Sequence, residues 1–181
     1  MKMYYSTTYP SPVGALTLAC DKVNLVGLWI ARQKYYGATI PEEMAENNDM
    51  PVFAAAKNWL DRYFAGRKPS ISELPLAPIG NEFRQGVWSI LCEIPYSKVI
   101  TYSDIAKKMA VKMNKEHMSS QAVGGAVGHN PISIIIPCHR VVGSNGSLTG
   151  YAGGIGVKTK LLELEGVDMS RLFVPAKGTA I

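Results

Sequence analysis

Apolar residues follow two rhythms along the chain. Near the start the period is two: Leu16, Leu18 and Cys20 alternate with neighbours of the other face, Asp21-Lys22 marks a turn, and Val26, Leu28 and Ile30 resume the alternation. This pattern predicts a β-hairpin. Residues 37 to 51 are polar, acidic and bounded by proline, which predicts a loop. The rhythm then lengthens. Phe53, Ala56, Leu60, Tyr63 and Phe64 share one helical face, and Gly66 is a suitable stop. Residues 67 to 80 hold Pro69, Pro75 and Pro78 and read as a linker, closing a small α+β module over residues 1–79.

A second module over residues 80–181 opens with a helix. Asn81 is its candidate N-cap, Phe83, Val87, Ile90, Leu91 and Ile94 form its stripe, and Pro95 closes it. Thr101-Tyr102-Ser103-Asp104 has the form of a capping box and predicts a short helix with Ile105 and Met109 turned inward. A polar loop over 111–118 follows, and Ser119 or Ser120 can cap a further helix from Gln121 to His129. Two short helices joined this way suggest a helix-turn-helix variant with a long turn. Val157, Leu161 and Leu164 mark the face of a last helix, Ile155 to Glu165, ended by Gly166. Between these helices, Ile134-Ile135-Ile136 reads as a buried strand that Pro137 terminates.

The helix before that strand is unusual. Ala122-Val123-Gly124-Gly125-Ala126-Val127-Gly128 carries three glycines, each costing about 1 kcal/mol against alanine in a helix interior. Two explanations stand: close packing against another element, or close approach of a ligand such as DNA to a bare backbone. Charge bears on the choice. The net charge is +5, with 11 basic and 7 acidic residues from Asn81 onward against 8 and 7 before it. The excess lies in the second module and favours a polyanionic partner. The 181 residues, 47% of them hydrophobic, suffice for two small cores. No apolar run nears the roughly 20 residues of a membrane span, and the first residues lack the apolar core of a signal peptide. Cys20, Cys92 and Cys138 are an odd, sparse set, with no disulfide framework and no zinc spacing. A cytoplasmic protein is expected.

The remaining chemistry gathers at Pro137-Cys138-His139-Arg140. A free thiol with a pKa of about 8.5 is only slightly ionised at neutral pH, so a reactive Cys138 needs a base or a positive field. His139 is adjacent, but neighbours on an extended chain face opposite ways. A bridging water would then join them, and a carboxylate on the other ring nitrogen would orient the imidazole. Glu165 is the candidate, since a carboxylate at a helix C-terminus is disfavoured by the dipole and so suggests a specific partner. Asn130-Pro131 joins the glycine-rich helix to the isoleucine run and could lock the two together. Tyr151, in the glycine-rich segment Gly150-Tyr151-Ala152-Gly153-Gly154, could be the wall of a pocket for a flat ligand.

These residues together resemble the O6-alkylguanine-DNA alkyltransferases, also called methylated-DNA–protein-cysteine methyltransferases. The likeness runs from about Phe83 to Gly166 and includes Val87-Trp88, Ile94-Pro95-Tyr96, Thr101-Tyr102, Ala122-Val123-Gly124, Asn130-Pro131, Pro137-Cys138-His139-Arg140-Val141, Tyr151-Ala152-Gly153-Gly154 and Leu161-Leu162 with Glu165-Gly166. Ser11-Pro12-Val13-Gly14 through Leu28 is similar, less distinctively, to the family's smaller domain. The resemblance implies an α+β architecture, with a small RNase H-like N-terminal domain and a winged helix-turn-helix-like C-terminal domain. It implies a monomer that binds double-stranded DNA containing alkylated bases and flips the damaged base into a pocket.

By the same resemblance Cys138 is the acceptor nucleophile, His139 its water-mediated base and Glu165 the orienting carboxylate. Asn130 is the hinge, and Tyr102 aids flipping and donates a proton toward the leaving guanine. Tyr151, Gly153, Val141 and Lys158 belong to the substrate pocket. Gln121, Ala122, Gly124 and Arg140 fall among the DNA-contacting positions, Arg140 with a more structural than catalytic character. No cofactor is implied, and the zinc site of one family member finds no ligand set here. One departure matters: the family usually has an arginine where this chain has Gln121, and glutamine lacks the charged planar group that stacks in the duplex. His129 also stands where many members carry arginine.

Three other readings fit parts of the sequence. A lesion-recognition protein would bind alkylguanine without accepting the alkyl group, although proteins of that kind typically lack the cysteine. A papain-like hydrolase would need a local signature absent here. A structural cysteine in a transcription factor is the third.

Overall fold

The computed structural model describes residues 2–40 and 43–176. Residues 41 and 42 of the acidic loop, and the last five residues of the second module, lie outside the described residues. The chain divides into two compact units: Met1–Gly80 with Pro131–Ile135, and Asn81–Asn130 with Ile136–Ile181.

The first unit is built on a four-stranded sheet. β1 (Tyr4–Ser11), β2 (Gly14–Cys20), β3 (Leu25–Ile30) and β4 (Met44–Glu46) lie in the order β3-β2-β1-β4. The hairpin expected from Leu16 and Leu28 is β2–β3, with Leu18 opposite Leu28 and Leu16 opposite Ile30. A register shift at Ala19/Cys20 breaks the expected alternation. Val26 therefore joins Tyr4, Ala19 and Trp29 in one cluster instead of following Leu28. Gly27 makes room there, because a methyl group at that position would sit 2.1 Å from the Trp29 ring. β4, inside the presumed loop, pairs parallel to β1.

α1 (Pro51–Phe64) buries Val52, Phe53, Ala56, Trp59, Leu60 and Tyr63. The stretch after it is not a free linker. Leu25 donates its amide hydrogen to the Pro75 carbonyl and accepts from Ala77, while the Trp59 indole bonds the Ser70 carbonyl at 2.9 Å.

The second unit is helical. α2 (Glu82–Cys92) starts at Asn81, whose side chain accepts from the Arg84 amide. The short strand β5 (Ile100–Thr101) leads into α3 (Tyr102–Lys112), where Thr101 and Asp104 form the expected capping box. Ser119 caps α4 (Ser120–Gly128) through the Ala122 amide. α2, α3 and α4 pack on one another, so α3 and α4 form the helix-turn-helix pair. β6 (Val141–Val142) lies parallel to β5, and α5 (Ile155–Leu164) ends at Glu165, its C-cap. α5 buries Lys158, Leu161 and Leu162, whereas Leu164, expected inside, is exposed.

The isoleucine run is buried, but it is not a strand. Ile132 makes one parallel bridge to Leu28. After it Ile134 adopts φ +71°, Ile135 bonds back to the Ser133 carbonyl at 2.8 Å, and Cys138 bonds back to Ile136 at 2.8 Å. The Ile135 amide and the Ile136 carbonyl are engaged in tight turns, not in a ladder, so only the run's apolarity matched the strand expectation. A short apolar run signals burial more reliably than it signals pleat.

The C-terminal end of α4 is closed by other elements. The Gly125 carbonyl accepts from the His129 amide and the Val127 carbonyl from Asn130. The Ala126 carbonyl accepts from the indole of buried Trp88 on α2, at 2.9 Å. Trp88→Phe leaves that carbonyl without its donor, so a stability loss of about 1–3 kcal/mol is expected in urea denaturation. A midpoint unchanged from the parent would show that the indole does not hold α4.

Candidate active site

Three elements deliver the reactive groups. Cys138, His139 and Arg140 form one 3-10 turn, and all three are buried. The extended geometry assumed from the sequence is therefore replaced. Successive side chains in a 3-10 turn diverge by about 120°, so the thiol and imidazole still leave the backbone in different directions. Asn130 follows α4 directly. Its amide nitrogen donates to the Ile136 carbonyl at 2.8 Å and to the Cys138 sulfur at 3.1 Å, which ties the end of α4 to the thiol.

Glu165 is 2% exposed and receives three hydrogen bonds from this turn. His139 Nε2 lies 2.6 Å from its Oε1. Arg140 donates from Nε to Oε2 at 2.8 Å and from Nη2 to Oε1 at 3.0 Å. Burial raises the Glu165 pKa, but the His139 and Arg140 bonds and charges outweigh it and hold the group at about 2. An ionised carboxylate accepts only, so Nε2 of neutral His139 carries the hydrogen and Nδ1 keeps the lone pair. Burial pushes the imidazole below its ordinary value against the opposing pull of Glu165. The Cys138 thiol is pushed up to about 11, because burial outweighs the Asn130 bond and the charge of Lys158.

Arg140, grouped with the DNA-contacting positions in the sequence, is only 6% exposed. Besides Glu165 it donates to the Ile94 carbonyl at 2.6 Å and lies over the Tyr96 ring, 5.5 Å from its centroid. Its guanidinium is committed inside the unit and does not face a phosphate. Lys158 is fully buried too, with Nζ 2.5 Å from the Val141 carbonyl and 2.8 Å from that of Thr149. That placement removes it from direct substrate contact. Val141, with which the turn ends, contributes this carbonyl and lies in the core.

Tyr102, the first residue of α3, is half-buried and donates to the carbonyls of Thr149 and Gly150, each at 3.1 Å. Burial, then the nearness of Cys138, raises its pKa above the ordinary value. Tyr151 meets the His139 ring edge-on, with centroids 6.5 Å apart. Its buried hydroxyl has no partner among the described residues. Gly153 lies in the turn that leads to α5.

Gln121 and Ala122 are exposed on the first turn of α4, and Gly124 is half-exposed. A methyl group on Gly125 would meet nothing within 4 Å, and one on Gly124 only the Tyr102 ring at 3.9 Å. Internal packing therefore does not require these two glycines.

Several contributors escaped the sequence reading. The turn at Tyr96-Ser97 caps the end of α5: Tyr96 donates its hydroxyl hydrogen to the Leu164 carbonyl at 3.4 Å, and the Ser97 hydroxyl bonds the Glu165 carbonyl. Ser97 does so at φ +64°. The carbonyls of Ile94, Thr149 and Gly150 are equally hidden, since main-chain acceptors leave no trace in residue type. Among the described residues no group of three His, Cys, Asp or Glu could hold a metal ion.

The fold and site are those of a two-domain thiol protein with a helix-turn-helix unit. Residues 82–167 match the 6-O-methylguanine DNA methyltransferase DNA binding domain, and residues 3–78 match the ribonuclease-like domain of the same proteins. The chain belongs to the 6-O-methylguanine DNA methyltransferase family. It is 43% identical over 166 residues to a methylated-DNA–protein-cysteine methyltransferase of Methanosarcina acetivorans, covering 91% of this chain and 99% of that one. It is 39% identical over 165 residues to that of Haemophilus influenzae, covering 91% and 88%. The crystal structure of Mycobacterium tuberculosis OGT in complex with DNA matches with a TM-score of 0.76 and 39% identity, over 96% of both chains.

The depressed pKa of Glu165 links it to stability. A carboxylate held at about 2 against an ordinary 4.5 stabilises the fold above 4.5, and this contribution is lost as pH falls toward 2. Glu165→Gln is expected to cost about 3–5 kcal/mol at neutral pH by leaving Arg140 buried without its counter-charge, and to flatten the acid limb of a stability–pH curve. An unaltered acid limb in that variant would contradict the assignment.

Proposed function

We propose that this protein repairs alkylated DNA by direct reversal, transferring the alkyl group of O6-alkylguanine, and of O4-alkylthymine, irreversibly to Cys138. The observation that carries the reading is the buried chain Glu165–His139 beside a thiol held by Asn130. The relatives named methylated-DNA–protein-cysteine methyltransferases support this reading. The thiol proton passes through a water to Nδ1 of His139, whose Nε2–H leans on Glu165. The sulfur attacks the alkyl carbon, the carbon–O6 bond breaks, and its electron pair returns to guanine, which leaves neutral after taking a proton. Tyr102 supplies that proton once the base replaces its carbonyl acceptors. The product is a thioether with no route back to the thiol, so each molecule acts once. No cofactor enters this balance.

The bare face of α4, bearing Gln121, Ala122 and Gly124, is the surface proposed to enter the DNA groove, and the pocket beside Tyr151 and Gly153 receives the flipped base. Residues 1–79 and 80–181 are assigned as the two functional domains. A monomer in the cytoplasm is proposed, supported by three free cysteines. Among the described residues no helix is long and apolar enough to cross a membrane.

The decisive experiment incubates the protein with duplex DNA carrying O6-methylguanine and maps the modified peptide by mass spectrometry. Stoichiometric methylation of Cys138, absent in Cys138→Ser, is expected; DNA binding without methylation would replace this reading with lesion recognition. Gln121→Arg is expected to repair duplex DNA faster, because arginine adds a stacking charged plane at that position. Equal single-turnover rates for the two proteins would remove Gln121 from the flipping step.

A further inference from the structure

We infer that the C-terminal segment 167–173 is a positioning element of the active site, and that its main-chain pairing with Gly146–Leu148 sets where the Tyr102 hydroxyl points. This rests on the reading that Tyr102 protonates the departing guanine. After α5 the chain returns along the loop between β6 and α5. Val167 is buried with Val142, Leu148 and Leu162, and Met169 and Leu172 pack on the same cluster. Asp168 caps the 3-10 turn Met169–Arg171 through the Ser170 amide. Phe173 then pairs in parallel with Ser147. Its amide donates to the Gly146 carbonyl at 3.1 Å, and its carbonyl accepts from the Leu148 amide at 2.9 Å. Gly146 permits this approach. It stands at φ +89°, and a methyl group there would lie 2.1 Å from the Arg171 carbonyl oxygen.

The residues next along the loop are those that hold Tyr102. Leu148 is anchored by the tail, and Thr149 and Gly150 present the two carbonyls that accept from the Tyr102 hydroxyl, each at 3.1 Å. A phenol has one hydrogen to give. Shared between two acceptors at equal distance, it is steered by both and bound tightly by neither. Such a hydroxyl passes to an incoming base at low cost, provided both carbonyls stay in place. The loop also closes on itself, from the Gly143 amide to the Ser147 carbonyl at 2.8 Å and from Gly146 to Gly143 at 2.9 Å. Those bonds lie upstream of Leu148, whose own amide is held by the tail. Lys158 shares the Thr149 carbonyl, but it has a second anchor in Val141 that the tail does not touch. Tyr102 has its two acceptors on this loop alone. A misplacement of about 1 Å costs a reacting group roughly 100-fold in rate, so two peptide hydrogen bonds that touch no substrate bear on the chemistry.

The test is single-turnover methyl transfer from O6-methylguanine duplex over a range of DNA concentrations. It compares the full-length parent with Phe173→Pro, Phe173→Ala, Tyr102→Phe, and Tyr102→Phe combined with Phe173→Pro. Proline removes the amide hydrogen that Gly146 accepts. Leu172, at φ −109° and ψ 146°, already has the extended backbone that a following proline requires. Phe173→Pro is expected to lower the saturating rate about tenfold, part of the roughly 10²–10⁴ that a placed general acid supplies, with the half-saturating DNA concentration unchanged. Phe173→Ala keeps the amide, gives up only a ring that is 46% exposed, and should match the parent. With Tyr102→Phe already present, Phe173→Pro should have no further effect, because the hydroxyl it misplaces is gone; a general loosening of the fold would multiply the two losses. Iodoacetamide is the second probe. Its carbon–iodine bond breaks to free iodide, which needs no proton, so alkylation of Cys138 read by peptide mass spectrometry should keep the parent rate in Phe173→Pro.

Full-rate transfer in Phe173→Pro, losses that multiply in the double variant, or a Phe173→Ala protein as slow as Phe173→Pro would each overturn the role. Tyr102→Phe transferring at the parent rate would overturn it as well, by removing the donor. Should Phe173→Pro not fold, Gly146→Ala decides by the same comparison with Tyr102→Phe, since its methyl displaces the Arg171 carbonyl from the other side of the pairing. Absence of methyl on Cys138 in the parent would instead defeat the transferase reading. The tail would then be judged by the Tyr102 ring resonances in NMR, which should shift in Phe173→Pro and stay in place in Phe173→Ala.

Discussion

The site depends on one carboxylate that stands where a helix least wants it. Glu165 caps the C-terminus of α5, at the negative end of the dipole, and it is buried as well. Both effects favour its protonation. Three hydrogen bonds and one guanidinium reverse the balance and keep it ionised. Everything around it follows from that charge. It selects the His139 tautomer and cancels the buried charge of Arg140. The turn at Tyr96-Ser97 holds the backbone from which it projects.

Local signals in the sequence translated well, because their causes are local. Asn81, Thr101 with Asp104, and Ser119 cap the helices they were expected to cap, since each needs only a side chain and an amide two or three residues on. Gly66 follows the end of α1 with φ +74°. Signals that depend on a distant partner translated poorly. β4 is three residues long and exists because β1 offers an edge. Val26 changed faces because of a bulge that no alternation predicts. The isoleucine run announced burial, and its turns depend on Asn130 and on backbone bonds invisible in residue type. Glu165 was legible as a misplaced charge, but the claim of Arg140 on it was not. Arg140 was grouped with the DNA-contacting positions, and its partners, 46 and 25 residues away, leave no local trace.

The thiol illustrates how burial and reactivity are reconciled. Desolvation alone would leave Cys138 inert, since its pKa is driven upward. Asn130 and Lys158 work against that cost with a dipole and a charge, and neither relies on solvent access. Asn130 is held by the Ile136 carbonyl and Lys158 by those of Val141 and Thr149, so their geometry is set before any substrate arrives. Placement within one short turn brings the imidazole of His139 and the guanidinium of Arg140 to a shared carboxylate, and keeps Cys138 next to them with little freedom to drift.

The outward face of α4 has a further consequence. Ala122, Gly124 and Gly125 end at a methyl group or at hydrogen, so this stretch of helix has no side chain long enough to reach a base edge. Sequence is read by such reaching groups, through paired donors and acceptors. Beyond Gln121, such a smooth stretch is blind to the letters of any duplex laid against it and responds to groove shape and backbone charge. It also has no rotamers to freeze on contact, which spares about 0.5–1.5 kcal/mol for each long side chain it lacks. Two costly glycines, Gly124 and Gly125, thus leave most of this surface suited to meeting every sequence equally, with discrimination left to whatever fits the proposed pocket.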